Sequence, residues 1–153
     1  DDVAGMIRNR KIPMIRRSTL HDLSANALSP DTRILLGDSM GEMFMYYATC
    51  DIAFIGGSLE KLGGQNLIEA CAVGKPVLIG PHTFNFEAIT KDAIAAHAAI
   101  RITSATELMQ RANELLSDQT LHQTMSDNAR LFAEKQHGAT ERTLELLIPL
   151  IEK

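Results

Sequence analysis

Glycines and small polar residues cluster in the middle of the chain, between two apolar stretches. One apolar run ends in Gly56-Gly57-Ser58, and a second glycine pair, Gly63-Gly64, precedes Gln65-Asn66. Glycine allows backbone N–H groups to approach a ligand closely, and the first N–H groups of a helix attract anions. The cluster therefore predicts a binding place for a small anionic group such as phosphate, with Ser58 and Asn66 as neutral hydrogen-bond donors.

A purely structural interpretation accounts for some of the same residues. Asn66, followed three residues later by Glu69, matches a capping box, in which two side chains satisfy free N–H groups at a helix start. Glu69 also has a functional interpretation, because an acidic side chain in a nucleotide site can accept hydrogen bonds from a ribose diol. Spacing alone leaves both interpretations open.

Two further loops carry residues of the same kind. The first contains Met40-Gly41-Glu42, and the second, Gly80 to Phe86, contains His82. An ordinary first helical turn also explains Gly41 and Glu42, and a lone loop histidine is more often structural or merely exposed. Because ligands of parallel α/β sheets collect at the carboxyl ends of the strands, we expect the three loops to line one crevice.

Apolar runs that alternate with helical patterns must position these loops. Near-continuous apolar strands separated by helices predict a parallel sheet covered by helices on both faces. Four strands are expected within residues 32–38, 51–58, 76–80 and 98–102, after a short strand at 11–15. Helices are expected within residues 1–10, 40–50, 63–73, 84–96, 104–118, 121–136 and 140–151. We therefore predict a single Rossmann-like α/β domain over residues 1–153.

The composition argues against several classes of function. The chain of 153 residues has a net charge of −4, which is not the basic footprint of a nucleic-acid-binding protein. Neither a G-x-x-x-x-G-K-S/T loop nor a G-x-G-x-x-G fingerprint occurs, which argues against ATPase and dinucleotide sites. The histidines lack partners at metal spacing, so we expect no metal and no other cofactor. Cys50 and Cys71 lie in apolar stretches and are interpreted as reduced core thiols.

Hydropathy and charge patterns give limited information on membranes and anionic ligands as partners. The sequence contains no run of about 18 apolar residues, the length of a membrane span, and we expect the chain itself to be soluble. The last helical pattern is amphipathic, but its mixed charges favour packing on protein over contact with lipid. Arg16, Arg17 and Lys61 are candidate contacts for an anionic sugar, although solvated surface charge is the commoner role.

Several strings in these loops together resemble the carboxyl-terminal half of bacterial 3-deoxy-D-manno-octulosonic acid (Kdo) transferases. They are Gly37-Asp38-Ser39-Met40-Gly41-Glu42, Ala53-Phe54-Ile55-Gly56-Gly57-Ser58-Leu59, Gly63-Gly64-Gln65-Asn66, Glu69-Ala70, Pro76-Val77 and Gly80-Pro81-His82-Thr83-Phe84-Asn85-Phe86. The resemblance covers most of the chain. It implies a two-domain, metal-independent, inverting glycosyltransferase of GT-B architecture. Such an enzyme moves Kdo from CMP-Kdo to a lipid A precursor at the cytoplasmic face of the bacterial inner membrane.

By that resemblance, this chain is the domain that holds the CMP-Kdo donor. One wall of the CMP site would be formed by Met40, Gly41 and Glu42, and the other by Asn66, Leu67, Ile68 and Glu69. Glu69 would lie near the ribose and Asn66 near the phosphate. Further donor contacts are expected at Gly56, Gly57, Ser58, Gly64, Gln65 and His82. The family usually has a histidine at the position of Gln65, whose amide can still donate a hydrogen bond.

Two functional elements of the family are absent from this sequence. The Pro-Arg phosphate-binding motif would lie just before Asp1, and the catalytic glutamate belongs to an amino-terminal acceptor domain. We therefore expect the chain alone to hold no catalytic residue, to be inactive and to bind CMP weakly. Two alternatives remain open: a donor domain that binds a UDP-sugar, and a stand-alone nucleotide-binding module.

Overall fold

Short parallel strands alternate with helices in the computed structural model, which describes residues 2–20, 28–136 and 147–148. The chain divides into two compact units, Asp1–Tyr46 and Tyr47–Lys153. The organisation of residues 1–153 as one domain stays a prediction.

The first unit contains two strands that pair in parallel. Its elements are α1 (Asp2–Asn9), β1 (Met14–Arg16), a 3₁₀ turn (Arg17–Thr19) and β2 (Ile34–Leu36). The register aligns Met14 with Ile34 and Arg16 with Leu36, so the two strands end at the same edge. The residues after β1 and the loop after β2 are therefore neighbours. Helix α2 (Met43–Thr49) begins in this unit and continues into the second.

The second unit is built on three parallel strands in the order β3-β4-β5. In chain order its described elements are β3 (Ala53–Ile55), α3 (Ile68–Ala72), β4 (Val77–Ile79), α4 (Glu87–Ala95), β5 (Ala99–Arg101), α5 (Ala105–Ser117) and α6 (Gln119–Gln136). Ile55 is aligned with Ile79, and Ile79 with Arg101. The three strands thus end level, and the loops that follow them meet at one edge.

The central strand β4 is fully buried and contributes to apolar clusters on both faces of its sheet. Val77 and Ile79 pack with Ala70 of α3 and Ala93 of α4, whereas Leu78 packs with residues of α5. Successive side chains of a strand point to opposite faces, so this division shows that helices cover both sides. Each such side chain stabilises the fold by roughly 1.5–3 kcal/mol. The predicted α/β class is confirmed.

Helix α5 begins at an S-x-x-E pattern, Ser104 to Glu107, which is typical of a capping box. The Ser104 hydroxyl oxygen accepts a hydrogen bond from the Glu107 N–H at 3.2 Å. The Glu107 carboxylate accepts from the N–H and the hydroxyl of Thr103, at 2.8 and 2.7 Å. The return bond therefore reaches the residue before the cap rather than the cap itself.

Two details differ from the sequence-based predictions, and a third prediction falls almost entirely outside the described residues. The four strands expected in one sheet do not form one ladder, because β2 pairs with β1, its neighbour in sequence, and β3 pairs with β4. Helix α3 begins at Ile68, later than expected, since Gly63 and Gly64 have φ values of +90° and +70° that a right-handed helix excludes. The helix expected at 140–151 lies outside the described residues except for Leu147 and Ile148, which are helical.

Candidate functional site

The loop that follows β3 is held from inside by Ser58, whose side chain is fully buried. Its hydroxyl donates to the Ile55 carbonyl at 2.5 Å and accepts from the Gly80 N–H at 2.8 Å. The Ser58 carbonyl accepts from the His82 N–H at 2.9 Å. Ser58 therefore links the loops that follow β3 and β4, and its hydroxyl is occupied within the fold rather than exposed to a ligand.

Two glycines are required by the close approach of these loops. A Cβ atom added to Gly80 would lie 2.6 Å from the Leu59 nitrogen, and one added to Gly63 would lie 2.7 Å from Cε2 of Phe84. Both distances are shorter than real Cβ contacts. At Gly80 the contact is with backbone, so a side chain there would push the loops apart, whereas at Gly63 the Phe84 side chain would have to shift and the φ of +90° also favours glycine. Contacts and backbone conformation within the fold therefore explain these two glycines.

Of the other glycines in this loop, Gly56 is exposed, Gly57 is partly exposed and Gly64 is buried. Gly57 and Gly64 both have φ of +70°, and the Gly64 N–H donates to the Gly57 carbonyl at 3.1 Å, which closes the loop on itself. Gly56 is exposed, and no heavy atom lies within 4 Å of a Cβ added to it. The backbone at Gly56 is thus accessible, as a site for a small anion requires.

The residues before α3 offer polar groups at its amino terminus. The Asn66 carbonyl oxygen Oδ1 accepts from the Ile68 N–H at 3.0 Å, which leaves the Asn66 amide N–H groups as donors. This contact stands in place of the capping box that was one interpretation of the sequence. The residue that flanks the start of α3 is Leu67 rather than Asn66, and the Leu67 side chain makes no capping hydrogen bond. Gln65 is exposed, and Asn66, Ile68 and Glu69 are partly exposed.

Leu67 differs from its neighbours because its side chain is fully buried in the core of the second unit. It can therefore position Asn66 and Ile68, but it offers a ligand only its backbone. The arrangement before α3 provides neutral donors and one carboxylate, Glu69, at a partly exposed helix start. Such a set suits the binding of a phosphorylated sugar or nucleotide.

The second predicted wall lies in the first unit, in the loop between β2 and α2. Met40 is 96% exposed and Gly41 has φ of +79°. Glu42 is partly buried, and both of its carboxylate oxygens are engaged: Oε1 accepts from Arg17 Nη2 at 2.6 Å, and Oε2 accepts from the Ser39 hydroxyl. This loop thus combines a free apolar side chain with a carboxylate fixed from two sides.

Hydrogen bonds in this loop hold two carboxylates in the ionised form. The Ser39 hydroxyl, and then the Arg17 guanidinium, hold the pKa of Glu42 below its ordinary value against the opposing effect of burial. The hydroxyl and N–H of Ser18, with a smaller effect of Arg16, do the same for the pKa of Asp38. The stabilisation from both carboxylates is present at neutral pH and is lost as the pH falls through the lowered values.

A cavity of about 650 Å³ lies beside the loop that follows β4. His82 lines it together with Phe84, Lys91 and Arg101. Arg101, the last residue of β5, donates through Nη1 to the Gly80 carbonyl at 3.0 Å. The structure therefore brings His82 next to two cations that the sequence interpretation did not select.

Two polar residues, Ser39 and Arg101, were not selected from the sequence, although the sequence contains a signal for each. Ser39 stands three residues before Glu42 in an S-x-x-E pattern, which is typical of reciprocal side-chain contacts near a helix start. Arg101 stands at the carboxyl end of a predicted strand, where ligand-binding side chains concentrate. Lys61, a candidate cation, lies exposed in the loop between β3 and α3.

In the described part of the chain, no observation supports a reactive thiol or a metal site. Burial raises the pKa of the fully buried Cys71 thiol to about 12, and it also raises the pKa of the partly buried Cys50 thiol. Residues 2–20, 28–136 and 147–148 contain no group of three potential metal ligands. Within the same ranges, no helix has the length and apolar character needed to cross a membrane.

Proteins from other bacteria are similar to this chain in sequence. A 3-deoxy-D-manno-octulosonic acid transferase of Bordetella pertussis is 45% identical over 147 residues, which are 96% of this chain and 33% of that protein. The enzyme of the same name from Haemophilus influenzae is 37% identical over 153 residues, or 99% of this chain and 34% of that protein. The chain thus spans about one third of the length of these relatives.

Structural similarity points in the same direction. The crystal structure of the C-terminal CMP-Kdo binding domain of WaaA from Acinetobacter baumannii matches with a TM-score of 0.77 and 28% sequence identity. The match covers 86% of this chain and 66% of that one. The family model described as glycosyl transferases group 1 matches residues 16–132, which is more than half of the sequence. The chain therefore belongs to the group 1 glycosyl transferases.

Proposed function

We propose that this chain is the donor-binding domain of a Kdo transferase and that it holds CMP-Kdo. The observation that carries the proposal is the set of accessible polar groups at the start of α3, beside loops linked through the buried Ser58. The similarity to a domain named for CMP-Kdo binding supports the choice of ligand.

The roles within the site follow from accessibility. The Asn66 amide donates to the phosphate, and Glu69 accepts from the ribose hydroxyls. Gln65, which is exposed, provides an amide donor where the family usually has an imidazole. Ser58 and Leu67 act as positioning residues, because their buried side chains hold the loop and the helix start.

Further contacts with the donor are proposed for glycines, for His82 and for residues 40–42. Gly56 and Gly57 allow the backbone to approach the donor, Gly64 supports this contact from a buried position by closing the same loop, and His82 contributes from the loop after β4. Met40, Gly41 and Glu42 contact the nucleotide part of the donor, as the resemblance to Kdo transferases implies. The proposed site uses neutral donors and backbone amides, and it requires no metal.

In the whole protein we propose an inverting transfer to a lipid A precursor. A base in an amino-terminal acceptor domain activates the acceptor hydroxyl, while amides and polar side chains of this domain stabilise the departing CMP phosphate. The length of the relatives, about three times that of this chain, supports such an additional domain. This reaction places the whole protein at the cytoplasmic face of the bacterial inner membrane.

The isolated chain should bind CMP weakly and should not transfer Kdo. It lacks the Pro-Arg motif expected upstream, and losing a hydrogen bond between a charged side chain and the phosphate costs roughly 1.5–3 kcal/mol. Calorimetric titration should therefore give a CMP dissociation constant above about 1 mM for the chain and a much lower one for the full-length protein. Submillimolar affinity, or Kdo transfer by the chain alone, would contradict this expectation.

Two controls test the site and the ligand. Glu69→Gln in the full-length protein should weaken CMP binding, whereas Glu114→Gln on the exposed side of α5 should not. CMP should compete with CMP-Kdo more strongly than UMP or UDP does. Preference for uridine nucleotides would favour a UDP-sugar donor, and equal CMP affinity with and without the upstream part would favour a stand-alone module.

A further inference from the structure

Three consecutive residues, the last of β1 and the two that follow it, hold the two carboxylates of the loop after β2. Arg16 Nη1 lies 3.3 Å from Oδ2 of Asp38, and Ser18 donates to the same carboxylate through its N–H at 2.8 Å and its hydroxyl at 2.7 Å. Arg17, between them, pairs with Glu42. The parallel register of β1 and β2 creates this arrangement, because it brings the ends of both strands to one edge.

The Arg17 side chain is largely buried and bonds to protein groups rather than to solvent. It is 15% exposed, its Nη2 donates to Glu42 at 2.6 Å, and its Nη1 donates to the Leu20 carbonyl at 3.2 Å. Its Nε is buried and has no hydrogen-bond partner. A cation that is largely buried and fixed by two contacts is poorly placed to serve as a direct contact for an anionic sugar.

Glu42 is held from the opposite side by a second contact. The Ser39 hydroxyl donates to Oε2, and the Ser39 and Tyr46 hydroxyl oxygens lie 2.7 Å apart. Gly37 leaves room for the Tyr46 ring, since a Cβ added to Gly37 would lie 2.9 Å from that ring. The Glu42 carboxylate therefore has one well-defined orientation within the first unit.

Stability alone is a weak reason for such an arrangement. Partly buried ion pairs often contribute little to net stability compared with apolar residues of the same volume, and the unpartnered Arg17 Nε adds a cost. The contacts do, however, restrict the backbone that carries Met40 and Gly41. We infer that Arg17 is a positioning residue that fixes Glu42 and the Met40-Gly41-Glu42 segment in the conformation that receives the cytidine part of the donor.

This inference rests on the proposed CMP-Kdo site and adds a residue that does not touch the ligand. The groups that face Glu42 are Arg17, Ser39 and Tyr46, and the Arg16–Asp38 pair lies in the same loop region. The Ser39 hydroxyl and, with a smaller effect, the Arg17 guanidinium hold the pKa of Glu42 below its ordinary value, so removing the Arg17 charge raises that pKa.

The test measures CMP and cytidine affinity of the full-length protein by calorimetry and competition at pH 7.5. Arg17→Gln should weaken CMP binding roughly tenfold, the lower end of the effect of losing one charged hydrogen bond.

Cytidine separates positioning from direct contact. If Arg17 fixes the nucleoside wall, Arg17→Gln weakens cytidine and CMP binding by the same factor. If Arg17 contacts the phosphate, only CMP binding falls, and the inference is wrong. Arg17→Lys, which keeps the charge, should recover most of the affinity, and Arg111→Gln, which breaks an exposed pair with Glu114 at 2.9 Å, should change nothing.

Folding of the variants and CMP binding by the native protein decide how the other outcomes are interpreted. Thermal unfolding establishes that each variant is folded, and Ser39→Ala, expected to weaken cytidine and CMP binding by the same factor, carries the test if Arg17→Gln does not fold. A native protein that binds CMP while Arg17→Gln binds it equally well overturns this inference alone. A native protein that does not bind CMP overturns the proposed function instead.

Discussion

Replacing Ser58 with alanine should destabilise the second unit, because the Ser58 hydroxyl is an internal link between two loops. In the native protein it accepts from the Gly80 N–H at 2.8 Å and donates to the Ile55 carbonyl at 2.5 Å. Ser58 is fully buried and Gly80 is buried, so water cannot replace the lost contacts without opening the loops. The variant leaves a buried donor without a partner.

The expected magnitude follows from that donor. An unsatisfied buried N–H group costs about 1–3 kcal/mol, whereas the smaller alanine side chain leaves only a minor cavity. A central value of about 2 kcal/mol corresponds to a decrease in Tm of roughly 4–8 °C for a chain of this size. Urea unfolding followed by circular dichroism should show a lower midpoint with an unchanged slope.

Ser117→Ala is the matched control. Ser117 is exposed at the end of α5, so the same chemical change should alter the free energy of unfolding by less than about 0.5 kcal/mol. The reasoning is refuted if Ser58→Ala unfolds at the native midpoint. If that stable variant also lost CMP affinity, the hydroxyl would serve the ligand directly instead of the fold.

Three further predictions concern Gly80, Cys71 and Ser104. Gly80→Ala should destabilise the protein by roughly 1–3 kcal/mol through contact with the Ser58–Leu59 backbone, whereas Gly56→Ala, which meets no atom within 4 Å, should be nearly neutral in thermal unfolding. Cys71, with its pKa raised to about 12 by burial, should react with a thiol reagent at pH 8 only after unfolding; reaction in the native state would contradict its placement in the core. Ser104→Ala should cost about 1 kcal/mol by removing the cap of α5, and an unchanged urea midpoint would refute that role.

Local sequence signals were sufficient to predict the main elements of the fold. The strands are short apolar runs bounded by turn residues, and β4 is buried on both faces as a continuous apolar run predicts. The cap at Ser104 and the helix end at Gly74, which has φ of +69°, also depend on residues close together in the chain. Such features are readable because the interacting groups are sequence neighbours.

The internal contacts of the site could not be predicted in the same way. Ser58 bonds Gly80 across 22 residues, and Arg17 bonds Glu42 across 25, so both contacts depend on strand pairing. The sequence suggested Ser58 as a donor to phosphate because a serine after two glycines suits that role. Burial of Ser58 is a property of the packed loops, which residue type alone does not reveal.

The link between the loops after β3 and β4 has a consequence for the thermodynamics of ligand binding. Bonds from Ser58 to Gly80 and His82 already fix the backbone around the candidate site in the unliganded protein. Ordering a flexible loop around a ligand costs conformational entropy, and a loop ordered during folding avoids that cost. Binding at these loops should therefore carry a small entropic penalty from the protein, which favours the weak individual contacts that neutral amides provide.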